Sequence, residues 1–291
     1  MTKVAVDVEG TRVVLSNLDK VLYPAVGFTK GQVVDYYTRI APVLLPHLAG
    51  RALTRKRYPD GVAGPVFFEK NAPRGTPAWV RTQNLPSPGS SKNRETIDYV
   101  IVQDLATLVW TANLASLELH THLWRLERDA PDLVVFDLDP GEPATVVECC
   151  QVAQLLRPLL EAEGLSPIAK TSGSKGMQLY ARADAFGSSE QTSAFAKGLA
   201  QRLEKEHPDL VLHRMTKALR PGKVLVDWSQ NSAAKTTVSV YSLRARERPT
   251  VSTPVTWDEV ETCRDATDLV FTSDDVLARV HRNGDLFAPL L

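Results

Sequence analysis

The chain has 291 residues, 43% apolar and 23% charged, with 34 basic and 34 acidic side chains that cancel. It is long enough for a large core, in one bilobal domain or two small ones, and too apolar and evenly mixed for a disordered chain. Three cysteines, Cys149, Cys150 and Cys263, fit neither a zinc spacing nor a disulfide framework, and no apolar run is of membrane-spanning length.

With no signal-peptide core at the start, the expected setting is reduced and cytoplasmic, with no membrane partner. Zero net charge is uninformative about a polyanionic partner, but the distribution is not. Basic residues crowd 51–94 and recur over 217–248, while acids concentrate over 118–163. Such basic tracts suit a phosphate-bearing partner.

Residues 11–15 alternate weakly and predict a strand, followed by a turn-rich stretch from Ser16 to Pro24. Residues 29–47 predict a helix. Thr29 and Gln32 supply a capping box, Val33, Tyr37, Ile40, Leu44 and Leu48 an apolar stripe, and Gly50 the stop. Lys30 falls in the first turn, where a cation opposes the helix dipole. Either an anion is held there jointly with Lys20, or the lysine is simply solvated.

Residues 52–58 and 66–70 predict strands joined by Pro59-Asp60-Gly61. Adjacent strand residues face opposite ways, so Phe67 and Phe68 predict one core ring. The second ring is either covered or exposed as a stacking platform for a base. The Pro, Gly and Ser content of 84–94 predicts a surface loop whose terminal basic residues reach phosphate, or a plain connector. Residues 96–102 predict a strand, and Asp104 caps a helix to about Ala115. Alternation over 117–122 places His120 and His122 on one face. A histidine pair binds metal in many proteins, but carboxylates nearby suit that task better, which leaves His120 a phosphate or structural role.

The centre of the chain is Val134-Val135-Phe136-Asp137-Leu138-Asp139-Pro140. An apolar strand runs into two aspartates at i and i+2, which therefore point the same way while Leu138 points into the core. Two carboxylates on one face repel unless a cation lies between them, and oxygen-only ligands favour Mg²⁺ or Mn²⁺. A second apolar strand, 223–228, also carries an aspartate, Asp227. Three carboxylates on neighbouring strands suffice for two metals about 3.5–4 Å apart, as in enzymes that displace at phosphorus. The plain alternative is that each aspartate caps a turn or faces solvent.

Residues 145–163 predict an amphipathic helix ended by Gly164. Strands 167–171 and 177–181 flank Ser172-Gly173-Ser174-Lys175-Gly176, a phosphate-cradle candidate that lacks the Walker A order. A helix over 191–206, a basic loop over 216–223, a polar connector over 229–235 and a strand over 236–240 follow. A Pro/Thr-rich crossing then leads to a helix over 274–282, capped by Ser273 and stopped by Gly284. Three acids, a Ser/Lys loop and the cations Arg220, Lys235 and Arg244 match what phosphoryl or nucleotidyl transfer requires.

These segments resemble the archaeo-eukaryotic primase superfamily, and within it the polymerase domain of bacterial DNA ligase D and stand-alone bacterial primase-polymerases. The resemblance rests on Asp-Lys-Val-Leu-Tyr-Pro (19–24), Thr-Arg-Lys-Arg-Tyr-Pro (54–59), Phe-Phe-Glu-Lys (67–70), Val-Phe-Asp-Leu-Asp-Pro-Gly-Glu (135–142) and Thr-Ser-Gly-Ser-Lys-Gly (171–176). Gly-Lys-Val-Leu-Val-Asp-Trp-Ser-Gln-Asn (222–231), Lys-Thr-Thr (235–237) and Tyr-Ser-Leu-Arg (241–244) complete it. It implies an α/β (α+β) fold: a mixed, largely antiparallel catalytic sheet flanked by helices, with an N-terminal sheet lobe over about 1–130 and a metal-binding lobe over about 131–291. The implied activity is template-dependent nucleotide addition, often from ribonucleotides, with two Mn²⁺ or Mg²⁺ ions.

By position, Asp137, Asp139 and Asp227 match the metal ligands. Lys56, His120, Ser172, Lys175, Gln178, Arg220, Lys235 and Arg244 match the nucleotide-contacting set. Asn17, Lys20 and Lys30 match a pocket for the 5′-phosphate of gapped or broken DNA, and Phe67 and Phe68 an aromatic pair against the template. Relatives usually carry histidine where this chain has Gln178, which can hydrogen-bond but not carry a proton. The resemblance further implies partners, a separate ATP-dependent DNA ligase and Ku, and work at the nucleoid. Two rivals remain. One is a haloacid-dehalogenase-type phosphatase, for which Thr272-Ser273-Asp274-Asp275 imitates a late acidic motif. The other is a non-catalytic DNA-end binding module.

Overall fold

A computed structural model describes residues 3–86, 95–128 and 130–291. The chain forms two compact units. The first comprises residues up to 122 with two later segments, 241–250 and 272–284, and the second comprises 123–240, 251–271 and 285–291.

The first unit opens with the antiparallel hairpin β1 (Lys3–Val8) and β2 (Thr11–Ser16), of which only the second strand has a sequence signal, then a small pair, β3 (Val21–Tyr23) and β4 (Phe28–Thr29). Helix α1 (Lys30–Leu48) carries the expected capping box between Thr29 and Gln32, and its stripe of Val33, Tyr37, Ile40, Leu44 and Leu48 is buried. Strands β5 (Ala52–Arg57), β6 (Phe67–Glu69), β7 (Thr82–Pro86) and β8 (Thr96–Ile101) follow, then α2 (Leu105–Asn113), capped by Asp104, and β9 (Ser116–Thr121). The sheet order is β9-β5-β8-β7, all antiparallel, and β6 pairs with the end of β5 that β8 leaves.

Two expectations change here. Residues 84–86, read as the start of a loop, belong to β7, because alternation to Gln83 and Leu85 pairs that strand with β8; the remainder of that stretch, 87–94, lies outside the described residues. Phe67 and Phe68 are both exposed, at 47% and 55%, where one was expected in the core. A three-residue strand paired through Arg57 and Lys56 has too little neighbouring sheet to cover either ring.

The second unit is built on β10 (Leu133–Pro140). After α3 (Val146–Ala162) come β11 (Ile168–Thr171), β12 (Met177–Arg182), α4 (Ser189–Glu206), β13 (Val211–Leu212), β14 (Val224–Asp227), β15 (Thr237–Val238), β16 (Pro254–Val255) and α5 (Trp257–Thr262). The sheet order is β13-β14-β10-β12-β11-β16, antiparallel except between β13 and β14. Val134, Phe136 and Leu138 point to one face, into a core with Cys149, Val152, Ala153, Leu156 and Leu160 of α3 and Ala196, Ala200 and Leu203 of α4. The opposite face therefore receives Asp137 and Asp139. Burying one face under helices fixes the register, since a slip of one residue would turn both acids into the core. The three cysteines are free and buried.

Helix α6 (Ser273–Asn283) returns to the first unit. Its cap is Thr272 rather than Ser273: the Thr272 N–H and hydroxyl both donate to Asp275 Oδ2, at 2.8 and 2.6 Å. The acids that imitate a phosphatase motif are thus a helix start. No helix among the described residues is long and apolar enough to cross a membrane. Leu156 is fully buried at the centre of α3, so Leu156→Ala should cost about 3 kcal/mol. A urea-unfolding midpoint close to that of the parent would refute this account of the core.

Candidate active site

The register across β10, β12 and β14 assembles the acids. Asp137 lies directly opposite Asp227 on β14, and on its other side opposite Gln178 of β12, which in turn faces Lys170 of β11. Directly opposed residues share a face, so Asp227, Asp137, Gln178 and Lys170 form one row across four strands, with Asp139 one pleat further along β10. Oxygens of Asp137, Asp139 and Asp227 all lie within 4.8 Å of one another. Burial and the charges of Asp139 and Asp227 push the Asp137 carboxyl up to about 7, against the pull of the Gln178 hydrogen bond and the Lys170 charge. An all-oxygen set with this much uncompensated negative charge fits a hard divalent cation.

Asp137 accepts from Gln178 Nε2 at 2.9 Å, and Asp227 is held by its own turn. Asp227 ends β14 and caps a short turn of 3₁₀ helix, its Oδ1 accepting from the Ser229 N–H at 3.0 Å and from the Ser229 hydroxyl at 2.5 Å, its Oδ2 from Gln230 Nε2 at 2.9 Å. Lys235 Nζ donates to Ser229 Oγ at 2.5 Å, which brings that cation to the same turn. Asn231 then pairs with the backbone of β10, accepting from Val135 N–H at 2.9 Å and donating to Val135 C=O at 2.7 Å. This side chain replaces a missing strand residue and locks the turn to the acid-bearing strand.

Two glycines allow the loops to close on β10. A Cβ on Gly176 would sit 2.2 Å from the Leu138 carbonyl oxygen, and one on Gly141 would sit 2.1 Å from that of Arg220. Residues 172–176 accordingly form a tight loop in which Ser172 Oγ accepts from the N–H groups of Ser174 and Gly176, at 3.2 and 3.1 Å. Lys175 reaches Glu142 at 2.6 Å in an exposed ion pair, of the weak kind that an arriving anion can displace. Arg220 is anchored by Nη2 to the Met215 carbonyl at 3.3 Å.

In the first unit, Lys56, His120 and Arg244 all converge on Glu118. Its buried carboxylate meets Lys56 Nζ at 2.9 Å, His120 Nε2 at 2.9 Å, Arg244 Nε at 3.3 Å and the Ala245 N–H at 3.1 Å. Burial pushes Glu118 up, but the His120 hydrogen bond and the three neighbouring cations outweigh it and hold the acid well below the carboxylate range. Burial also lowers the His120 imidazole. His122 is buried against Tyr99.

At the start of α1, Lys20 N–H donates to the Asn17 carbonyl and Lys30 N–H to the Lys20 carbonyl, at 3.1 and 2.8 Å, so Asn17, Lys20 and Lys30 are neighbours. Lys20 pairs with Asp60 at 2.8 Å, and Lys30 Nζ donates to Ser16 Oγ at 3.3 Å. Burial, with the charges of Lys20 and Arg57, pulls Lys30 down to about 8. A buried lysine beside another cation at a helix N-terminus is an arrangement relieved by an anion.

The profile of the family described as "LigD, primase-polymerase domain" matches residues 29–287. The chain belongs to that family. It is 46% identical over 282 residues to the "Multifunctional non-homologous end joining protein LigD" of Mycolicibacterium smegmatis, covering 96% of this chain and 36% of that protein. The "Multifunctional non-homologous end joining DNA repair protein LigD" of Mycobacterium tuberculosis is 44% identical, over 96% of this chain and 37% of its own length. The "Bifunctional non-homologous end joining protein LigD" of Bacillus subtilis is 31% identical, over 92% and 42% respectively. The chain thus spans a little over a third of the curated relatives it matches best. The solved "Polymerase Domain from Mycobacterium tuberculosis Ligase D in complex with DNA" superposes with a TM-score of 0.89 at 43% identity, covering 96% of this chain and 98% of that one.

Within this LigD-type frame, sequence reasoning found the acids and missed Glu118, Lys170 and Asn231. Glu118 had a readable signal, since it shares a strand face with His120. Asn231 had none, because only pairing between distant segments brings it to β10, whereas Lys170 faces Gln178 across the hairpin formed by the two predicted strands that flank 172–176.

Asp137 also dictates a pH response. Between about pH 4 and pH 7 the metal-free fold keeps a proton that the unfolded chain releases, so stability falls as pH rises through that window. Asp137→Asn removes the effect. In chelator-treated protein the variant should be more stable than the parent by about 1–2 kcal/mol above pH 7, with the gap closing toward pH 4. Thermal unfolding at both pH values tests this, and a pH-independent difference would sink it.

Proposed function

We propose that this chain is a template-dependent nucleotidyltransferase, a ribonucleotide-preferring polymerase that fills short gaps or extends ends during DNA repair and non-homologous end joining. The observation that carries the reading is the convergence of Asp137, Asp139 and Asp227 on paired strands, in a chain that belongs to a primase-polymerase family. Bound to these acids, two Mn²⁺ or Mg²⁺ ions supply charge neutralisation at the triphosphate and acidify the attacking hydroxyl.

The side chains of the fold do the remainder. Asp137 and Asp139 present oxygens from one strand face and Asp227 from the next, so the ligand set is rigid before any substrate arrives. Ser172, Lys175, Arg220 and Lys235 of the second unit donate to the phosphates and sugar of a nucleoside triphosphate, rNTP or dNTP; Lys56, His120 and Arg244, gathered on Glu118 in the first unit, are read by themselves as nucleotide-contacting donors. The Lys175–Glu142 and Lys56–Glu118 pairs keep those amines ordered meanwhile. Asn17, Lys20 and Lys30 receive the 5′-phosphate beyond a gap. Phe67 and Phe68, both exposed on an edge strand, stack against template bases.

We read residues 1–291 as one bilobal working domain, acting in the cytoplasm at the nucleoid with a separate ATP-dependent ligase and Ku. The names of the relatives, which speak of end joining, support a part in that process.

Asp137→Ala and Asp139→Ala should each lower primer extension on gapped DNA at least a hundredfold while DNA binding in a gel shift stays within about twofold. Extension at parental rates would turn the acids into structural residues of an end-binding module. Lys20→Ala combined with Lys30→Ala should abolish the preference for a 5′-phosphorylated gap. If the parent itself extends phosphorylated and unphosphorylated gaps equally, the phosphate pocket is wrong.

A further inference from the structure

Lys170 is a fully buried cation (1% exposed) that none of the roles above uses. Its Nζ lies 2.5 Å from Gln178 Oε1, 2.7 Å from Ser252 Oγ and 3.2 Å from the Val238 carbonyl. Those contacts fix the direction of every proton. The Ser252 hydroxyl donates to the Thr171 carbonyl at 2.8 Å, so Ser252 Oγ can only accept from Lys170. The Val238 oxygen is also an acceptor, and three donated bonds are what an ammonium provides. With Lys170 an obligate donor, the Gln178 amide has one orientation: its oxygen faces Lys170 and its Nε2 donates to Asp137 Oδ1 at 2.9 Å. Tyr180 closes the set, its ring 5.3 Å from Lys170 Nζ and its hydroxyl donating to Thr237 Oγ1 at 2.9 Å.

Burying an ammonium is costly unless its partners are complete, and here Gln178, Ser252 and Val238 fill all three. We propose that Lys170 is a positioning residue for the metal site, acting through Gln178 to hold Asp137 Oδ1 as an acceptor and so fix the orientation of that carboxylate within the acidic cluster. The directed chain runs from Lys170 to Gln178 to Asp137 along the same cross-strand row that ends at Asp227. This accounts for glutamine at position 178: both ends of its amide are engaged inside the sheet. The inference rests on the reading of Asp137, Asp139 and Asp227 as metal ligands.

Coulomb's law alone gives the opposite sign, because deleting a cation beside a divalent ion should tighten that ion. The intact chain without nucleotide is titrated with Mn²⁺, and the free ion is followed by its paramagnetic resonance signal. Lys170→Met, which keeps the aliphatic volume, should weaken Mn²⁺ binding about tenfold, the usual size of effect for a partner behind a metal ligand. Gln178→Leu should weaken it similarly, and adding Lys170→Met to Gln178→Leu should change affinity less than twofold, since the first variant has already cut the chain.

Unchanged or tighter Mn²⁺ binding in Lys170→Met overturns the proposal, as do losses that multiply in the double variant. Should Lys170→Met not fold, Gln178→Glu serves instead. It keeps an ion pair with Lys170 but removes the donor to Asp137, so weaker Mn²⁺ binding supports the chain and parental or tighter binding refutes it. Asp137→Ala separates the two levels. Parental Mn²⁺ affinity there would remove the metal reading itself, whereas loss in Asp137→Ala beside no loss in Lys170→Met would remove only the role of Lys170.

Discussion

The organising constraint is the repulsion among three carboxylates that the sheet brings together. Asp137 and Asp227 face each other across β10 and β14 because eight residues of one apolar strand and four of another bury their opposite faces under α3 and α4. The helices thus determine which way the acids point. Left without a cation, the cluster resists ionising: burial first, and then the charges of Asp139 and Asp227, push Asp137 up to about 7. The fold tolerates this because two of the acids are tied down: Asp227 by its own turn, that turn by Asn231, and Asp137 by Gln178. Stability given up at the site is offset by the core behind it, the usual relation between a preorganised site and its scaffold.

The first unit carries the complementary arrangement, an excess of cations gathered with little solvent around them. Glu118 collects Lys56, His120 and Arg244, and the start of α1 gathers Lys20 and Lys30. In each case a buried or half-buried polar group sets where the charges lie. The pairs that involve exposed partners, such as Lys175 with Glu142, contribute little stability and serve better as ordered donors.

Much of the site was legible in the chain because its signals are local. The i, i+2 aspartates before a proline, the Ser/Lys loop between two strands, and the capping box that fixes the start of α1 each need only a few consecutive residues. Other features misled for equally physical reasons. Phe67 and Phe68 alternate as a strand should, but alternation reports burial only where neighbouring strands exist to bury something. Residues 84–86 contain a proline at an edge position, which made a strand resemble a loop. The acidic run after Thr272 looked catalytic and is a helix cap.

By itself the sequence determined the α/β class, the strand that carries the paired acids, the identity of all three carboxylates and the family to which the chain belongs. These follow from periodicity and from motifs a few residues long. Only the tertiary structure decided the register that sets Asp227 against Asp137, the gathering of Lys56 and Arg244 on Glu118, and the return of 241–250 and 272–284 to the first unit. Those are pairings between segments tens of residues apart, fixed by how buried faces fit together, and no local pattern encodes which partner a polar side chain will meet.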